Sequence, residues 1–187
     1  MYGAIIGDIA GSIFEYSQIK NVSNIECKEI IPENGFYSDD TILTVAIADA
    51  IMHGKNYEKY LKLYGKKYEN YKPEYKPYFK ASFSPGFIKW VNSDFEGTSI
   101  GNGAMMRISP IGEAFKTKNE VLKNVMAATQ PSHNSKEAIY CAGIVALIGF
   151  YAKKGLNKTQ IINELNLNIK EPKIEKFNST WDRKSVV

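Results

Sequence analysis

Two adjacent carboxylates, Asp39 and Asp40, sit between the hydroxyl residues Ser38 and Thr41. They open a run that is apolar on nearly every face: Ile42, Leu43, Val45, Ala46, Ile47, Ala48, Ala50 and Ile51. Acids in the first turn of a helix are stabilised by its dipole, and Ser38 is a favoured N-cap, so a helix-start role alone accounts for these residue types. The same three side chains also make half a site for a hard cation. Such ions take oxygen ligands, and neighbouring carboxylates in a core need a positive charge to offset them. A second cluster, Gly101-Asn102-Gly103-Ala104-Met105-Met106-Arg107, places flexible glycines ahead of an apolar helix carrying one buried-looking arginine. Backbone amides in such a loop can cradle a phosphate and an arginine can clamp it; a plain tight turn is the competing account. A third, Ser132-His133-Asn134, stands just before a long apolar helix, where a neutral imidazole can hold a ligand hydroxyl or phosphate. Asp8 lies among Ile5, Ile6 and Ile9, one turn from Ser12 and two from Glu15, so these three polar groups share one stripe.

The elements that must position these groups read as helices. Apolar spacing predicts helices near 3–14, 39–52, 57–70, 104–108, 118–129, 134–154 and 158–166, with a shorter pattern at 87–91. Helix 39–52, apolar all round, belongs at the middle of a bundle. Gly3, Gly7 and Gly11 recur every four residues, a spacing that lets another backbone approach one helical face. Residues 17–37 read as loop with a strand-like piece at 27–31, closed by a turn at Pro32-Glu33-Asn34-Gly35. His53-Gly54 ends the central helix in the manner of a C-cap, which makes His53 a surface residue.

Composition limits the function classes. The chain has 187 residues, enough for one domain, 1–187, with a good core. A net charge of +4 carried mostly by lysines is a weak reason to expect nucleic acid. Lys72 to Ser84 mixes aromatics, lysine and proline and could stack bases, but packing is the commoner use of such a stretch. Cys27 and Cys141 are far apart with no metal-ligand spacing, as expected of free thiols in a reducing compartment. The start of the chain has no basic leader, and Asp8 interrupts its apolar run too early for a membrane span. A soluble, cytoplasmic protein is expected, without membrane or nucleic-acid partners.

Taken together, Gly7-Asp8-x-x-Gly11-Ser12-x-x-Glu15, Ser38-Asp39-Asp40-Thr41, Gly101 to Arg107 followed by Ile108-Ser109-Pro110-Ile111-Gly112, and Ser132-His133-Asn134 resemble the ADP-ribosylglycohydrolases in order and spacing. The resemblance runs from Gly3 to about Ser185. It implies an all-α fold, a compact bundle with two magnesium ions at its centre. It also implies cleavage of the bond between the ribose anomeric carbon and a protein side chain or similar group. By position, Ser38, Asp39 and Asp40 resemble the first half of the metal site. Glu15 resembles the mobile acid that acts as general acid or base, with Asp39 and Asp40 beside it. Asp8 resembles a structural residue holding the neighbouring loops. Gly101, Asn102, Gly103, Ala104 and Met105 resemble the loop around the diphosphate and distal ribose, and Ser132 and His133 resemble the segment that meets the same ligand. A positioned carboxyl suits an oxocarbenium-like transition state, and a metal ion can orient ribose hydroxyls and activate water.

In one respect the chain departs from the family. Members close the metal site with a C-terminal Gly-Asp-x-Asp-Thr, whereas the late acids here, Glu164, Glu171, Glu175 and Asp182, form no Asp-x-Asp pair. The expectation is therefore a fold truncated at its C-terminal side, with one weak Mg²⁺ or Mn²⁺ site in place of two. The partner is expected to be ADP-ribose or an ADP-ribosylated protein. Uncovered apolar faces on helices 39–52 and 134–154 should be met by a homo-oligomer or a second chain. Two function classes follow: a hydrolase, or a binder that holds an ADP-ribose-like nucleotide without cleaving it, with an inactive remnant as the third outcome.

Overall fold

The computed structural model describes residues 1–14, 29–73 and 82–168. Among these residues the secondary structure is helical, with one isolated antiparallel bridge between Thr98 and His133. The expected strand-like piece at 27–31 lies partly outside the described residues, and Ile30 and Ile31 form no strand.

Two helices form the framework. Helix α2 (Asp39–Met52) buries Ile42, Leu43, Thr44, Ala46, Ile47 and Ala50. Helix α8 (Lys136–Lys153) buries Ala142, Gly143, Ala146, Leu147, Phe150 and Tyr151. Each begins at a serine whose hydroxyl accepts a backbone amide, Ser38 from Asp40 and Ser135 from Ala138. Each is followed by a glycine in the left-handed region, Gly54 at φ 93° and Gly155 at φ 88°, a conformation that costs glycine little. Around α2 pack α1 (Tyr2–Gly11) and α3 (Tyr57–Lys67), with α4 (Pro85–Val91) beyond α3. Around α8 pack α7 (Lys118–Thr129) and α9 (Lys158–Glu164). The short helices α5 (Gly103–Met106) and α6 (Ser109–Ala114) contact both α2 and α8 and so tie the two halves together. Gly112 allows the closest of these crossings, since a Cβ there would lie 2.2 Å from the Ala146 carbonyl oxygen.

Several boundaries differ from expectation for local reasons. The first helix stops at Gly11 and continues as a 3-10 turn over Ser12–Phe14. The third ends at Lys67 rather than near 70, and the long eighth starts at Lys136 because Ser135, not His133, is its cap. Helix α6 was not expected. Pro110 reads as an interruption, yet proline fits a first turn, where its missing N–H would have no partner anyway.

The glycine repeat of α1 does not hold another described element close: a Cβ on Gly3, Gly7 or Gly11 would meet nothing within 4 Å. The apolar surplus falls unequally on the two central helices. On α8, Tyr140, Val145 and Ile148 are exposed, whereas on α2 the only large hydrophobic left exposed is Met52, at its end. No helix among the described residues is long and apolar enough to cross a membrane.

Candidate functional site

The acidic end of the site is built by α1 and α2 together. Asp8, on α1, accepts four hydrogen bonds. Its Oδ2 receives the Ser38 amide at 2.8 Å, the Thr41 amide at 3.1 Å and the Thr41 hydroxyl at 2.6 Å. Its Oδ1 receives the Ser38 hydroxyl at 2.7 Å. One carboxylate from a neighbouring helix thereby caps the start of α2, where amides have no intrahelical acceptor. Ser12, fully buried, accepts the Phe36 amide at 2.9 Å and donates to the Ile9 carbonyl, which latches the approach to α2 onto α1. This is the holding role that the position of Asp8 suggested. Asp40 lies within reach of the same charge. Burial, and after it the Asp8 carboxylate, push the Asp40 carboxyl above the usual range, while the Ser38 hydroxyl works the other way.

The opposite end joins three separate segments. Residues 97–99 pair with 131–134: the Gly97 amide donates to the Pro131 carbonyl at 2.8 Å, Ser99 to Ser132 at 3.1 Å, and Asn134 back to Gly97 at 3.3 Å. Only glycine fits at 97, because a Cβ would stand 2.3 Å from the Ser132 Cα. Arg107, just past α5, has no exposed surface. Its Nη2 donates to the Ser132 hydroxyl at 2.6 Å and to the Ala128 carbonyl at 3.2 Å, and its Nε and Nη1 have no partner among the described residues. Burial lowers the guanidinium to about 10. The Ser132 hydroxyl lies 2.8 Å from Nδ1 of His133. Burial first, and the Arg107 charge second, lower the His133 imidazole to about 4, so it is neutral near pH 7.

Between the two ends lies a pocket of about 580 Å³. Asp39 and Leu43 of α2 line it together with Gly101, Asn102, Gly103, Ser132 and His133. Phe87 and Trp90 of α4 add apolar lining, and Arg107, though without exposed surface, borders it. Residues separated by some sixty and some ninety positions in sequence thus share one cavity with Asp39. Ser38 and Asp40 do not line it; Ser38 is buried beneath and Asp40 is half-buried beside Asp8. Ala104 is buried in the core and Met105 packs against it, because the single turn of α5 carries them away from the cavity. Met106 and Arg107 line it in their place. Glu15 lies outside the described residues. His53 is exposed at the end of α2, paired with Asp49, as its C-cap position implied.

Sequence reasoning anticipated Arg107 as a buried residue able to clamp phosphate. The fold instead seals its guanidinium from solvent and turns it to Ser132 and Ala128. The lone arginine in an apolar stretch was the available signal, but its partners lie more than twenty residues further on. Phe87 and Trp90 were read only as helix residues.

The donors at the acidic end are all oxygen, which suits a hard cation in kind, and Asp8 and Asp40 form a pair of like charges that a cation would offset. In number they fall short. Among the described residues no three Asp, Glu, His or Cys side chains are grouped so as to hold a metal ion. The Ser38 hydroxyl already gives its one proton to Asp8, which leaves its lone pairs for the Asp40 amide or an ion.

With this geometry in place, comparison with known proteins is informative. A sequence model of the ADP-ribosylglycohydrolase family matches residues 1–185, nearly the whole chain. A search of curated proteins found no match.

Proposed function

Because the chain belongs to the ADP-ribosylglycohydrolase family, we propose that its pocket binds an ADP-ribosyl group and that the protein hydrolyses the bond from the ribose anomeric carbon to a protein side chain or similar acceptor. The observation that carries this reading is the single cavity shared by Asp39, the Gly101–Gly103 loop and His133. A ligand with a diphosphate at its centre and a ribose at its reacting end needs such a site, with a carboxylate, polar donors and apolar surface in one cavity.

Each group has a distinct task in this reading. Gly101, Asn102 and Gly103 let backbone approach the diphosphate closely, since glycine brings no Cβ into the cavity. His133 offers a ring N–H to a ligand oxygen. Asp39 faces the ribose, and Asp8 keeps the start of α2 in place while Asp40 stands behind it. Glu15, which follows α1 in sequence, is the proposed general acid or base, because loss of the leaving group through an oxocarbenium-like state calls for a positioned carboxyl. A magnesium or manganese ion held by Ser38, Asp39 and Asp40 would orient ribose hydroxyls and lower the pKa of a bound water.

The absence among the described residues of three grouped Asp, Glu, His or Cys side chains favours a second reading, in which the chain holds ADP-ribose without cleaving it. Release of ADP-ribose from an ADP-ribosylated protein, with and without Mg²⁺, separates the two. Metal-dependent release that is lost in Glu15→Gln and Asp39→Ala supports the hydrolase. Saturable ADP-ribose binding with no release in any condition supports the binder.

A further inference from the structure

We propose that Arg107 is a positioning residue which, through Ser132, fixes His133 in one neutral tautomer, proton on Nε2, and so makes it a permanent hydrogen-bond donor to the ligand. The assignment follows from counting donors. A guanidinium only donates, so the Ser132 hydroxyl, 2.6 Å from Nη2 of Arg107, must accept there. The hydroxyl has one proton of its own, and among the described residues Nδ1 of His133, 2.8 Å away, is the one acceptor in reach of it. A neutral imidazole whose Nδ1 accepts carries its proton on Nε2. That edge of the ring faces the cavity loop, since a Cβ on Gly103 would lie 3.3 Å from both Nε2 and Cε1.

Ser132 is nearly fully buried and Arg107 completely so, and water therefore does not compete for these bonds. The second bond from Nη2, to the Ala128 carbonyl at the end of α7, holds the guanidinium in the orientation that Ser132 needs. Arg107 makes no ion pair among the described residues, and its Nε and Nη1 are unpartnered. An unpaired buried cation is costly, and such groups persist where they serve a site. Here the service is orientation. A free histidine populates both neutral tautomers and a cation besides; this one presents a donor and nothing else.

The role of His133 toward ligand rests on the ADP-ribose reading, but the relay can be tested without ligand. The chain has two histidines, so ¹⁵N NMR of the histidine-labelled full chain resolves both rings, with exposed His53 as an internal reference. The expected spectrum shows His133 near pH 7 as a single tautomer, protonated on Nε2. Ser132→Ala should convert it to a tautomer mixture and Ser132→Thr should restore it. Arg107→Met should act like Ser132→Ala; should it not fold, the two Ser132 variants decide. A parent His133 protonated on Nδ1, or one unaffected by Ser132→Ala, would overturn the relay. With the tautomer as expected, ADP-ribose affinity should fall about tenfold in Ser132→Ala and recover in Ser132→Thr, a factor worth about 1.4 kcal/mol. Unchanged affinity in Ser132→Ala would overturn the donor role. The expected tautomer pattern with no ADP-ribose binding in any variant would uphold the relay and overturn the ligand reading instead.

Discussion

Two buried serines do opposite things, Ser132 in the lining of the pocket and Ser38 just ahead of Asp39, which lines it too. Ser38 donates its proton to a carboxylate and belongs to a cluster of negative groups, Asp8 and Asp40. Ser132 accepts from a guanidinium and, in the proposed relay, passes its own proton to an imidazole. Both ends resist charging: burial holds the Asp40 carboxyl above its ordinary range and holds His133 below its own. The construction differs more than the electrostatics. The acidic end consists of two helices and a cap, so its bonds are largely those any helix start requires. The basic end depends on the crossing of strand-like segments at Gly97 and Ser132 and on one arginine reaching into α7. The first should yield gradually to substitution, the second abruptly.

The sharpest way to break the basic end is Gly97→Ala. A methyl group placed 2.3 Å from the Ser132 Cα must push backbone from backbone, at a cost of about 3 kcal/mol. Thermal unfolding should report the loss, and ADP-ribose binding should go with it. At the acidic end Asp8→Ala removes four acceptor contacts at once, two of them to helix-start amides. We expect a loss of about 2 to 3 kcal/mol in urea unfolding, with Asp8→Asn losing about half as much.

Acidification distinguishes the ends by sign. His133 has a folded value of about 4 against an unfolded 6.5, so the unfolded chain takes up its proton first. Its contribution to stability is complete above about pH 6.5 and declines as the pH falls toward 4. Linkage gives about 2 kcal/mol lost from this group between pH 7 and pH 5, and His133→Gln should abolish that slope. Asp40 runs the other way. Its raised folded value makes protonation favourable, so its cost is absent below the unfolded value and grows as the pH rises through the folded one. The smallest expected effect follows from that cost. At pH 7, Mg²⁺ at about five times its dissociation constant should stabilise the fold by about 1 kcal/mol, and the increment should disappear in Asp40→Asn. An equal increment in Asp40→Asn would move the ion elsewhere.

The same contrast explains what could be read from sequence. Helix α2 was legible to both ends, because Ser38, the two acids, the apolar run and Gly54 are all local signals. The holding role of Asp8 came from the family resemblance; the isoleucines around it showed only that this acid does not simply face water. The relay was not legible. Arg107, Ala128 and Ser132 are joined only when α5 and α7 have packed, and nothing around Arg107 in the chain points to a serine twenty-five residues on. Nor did the sequence show that Ala104 and Met105 turn into the core while Met106 lines the cavity, since a four-residue helix has too few positions to set a face. Helix α6 was hidden by Pro110, a residue that interrupts helix interiors but fits a first turn, where it stands here as Pro85 does in α4.

The two ends of the site are expected to hold one ligand between them. Calorimetric titration of ADP-ribose into the parent chain, Asp39→Ala and Gly103→Val tests it most directly. Asp39 and Gly103 come from separate segments that line the pocket, and a valine at 103 would press on the His133 ring. The predicted result is saturable binding by the parent that weakens about tenfold or more in each variant, a loss of about 1.4 kcal/mol or more apiece. Absence of binding by the parent, or binding that either variant leaves unchanged, would contradict the claim.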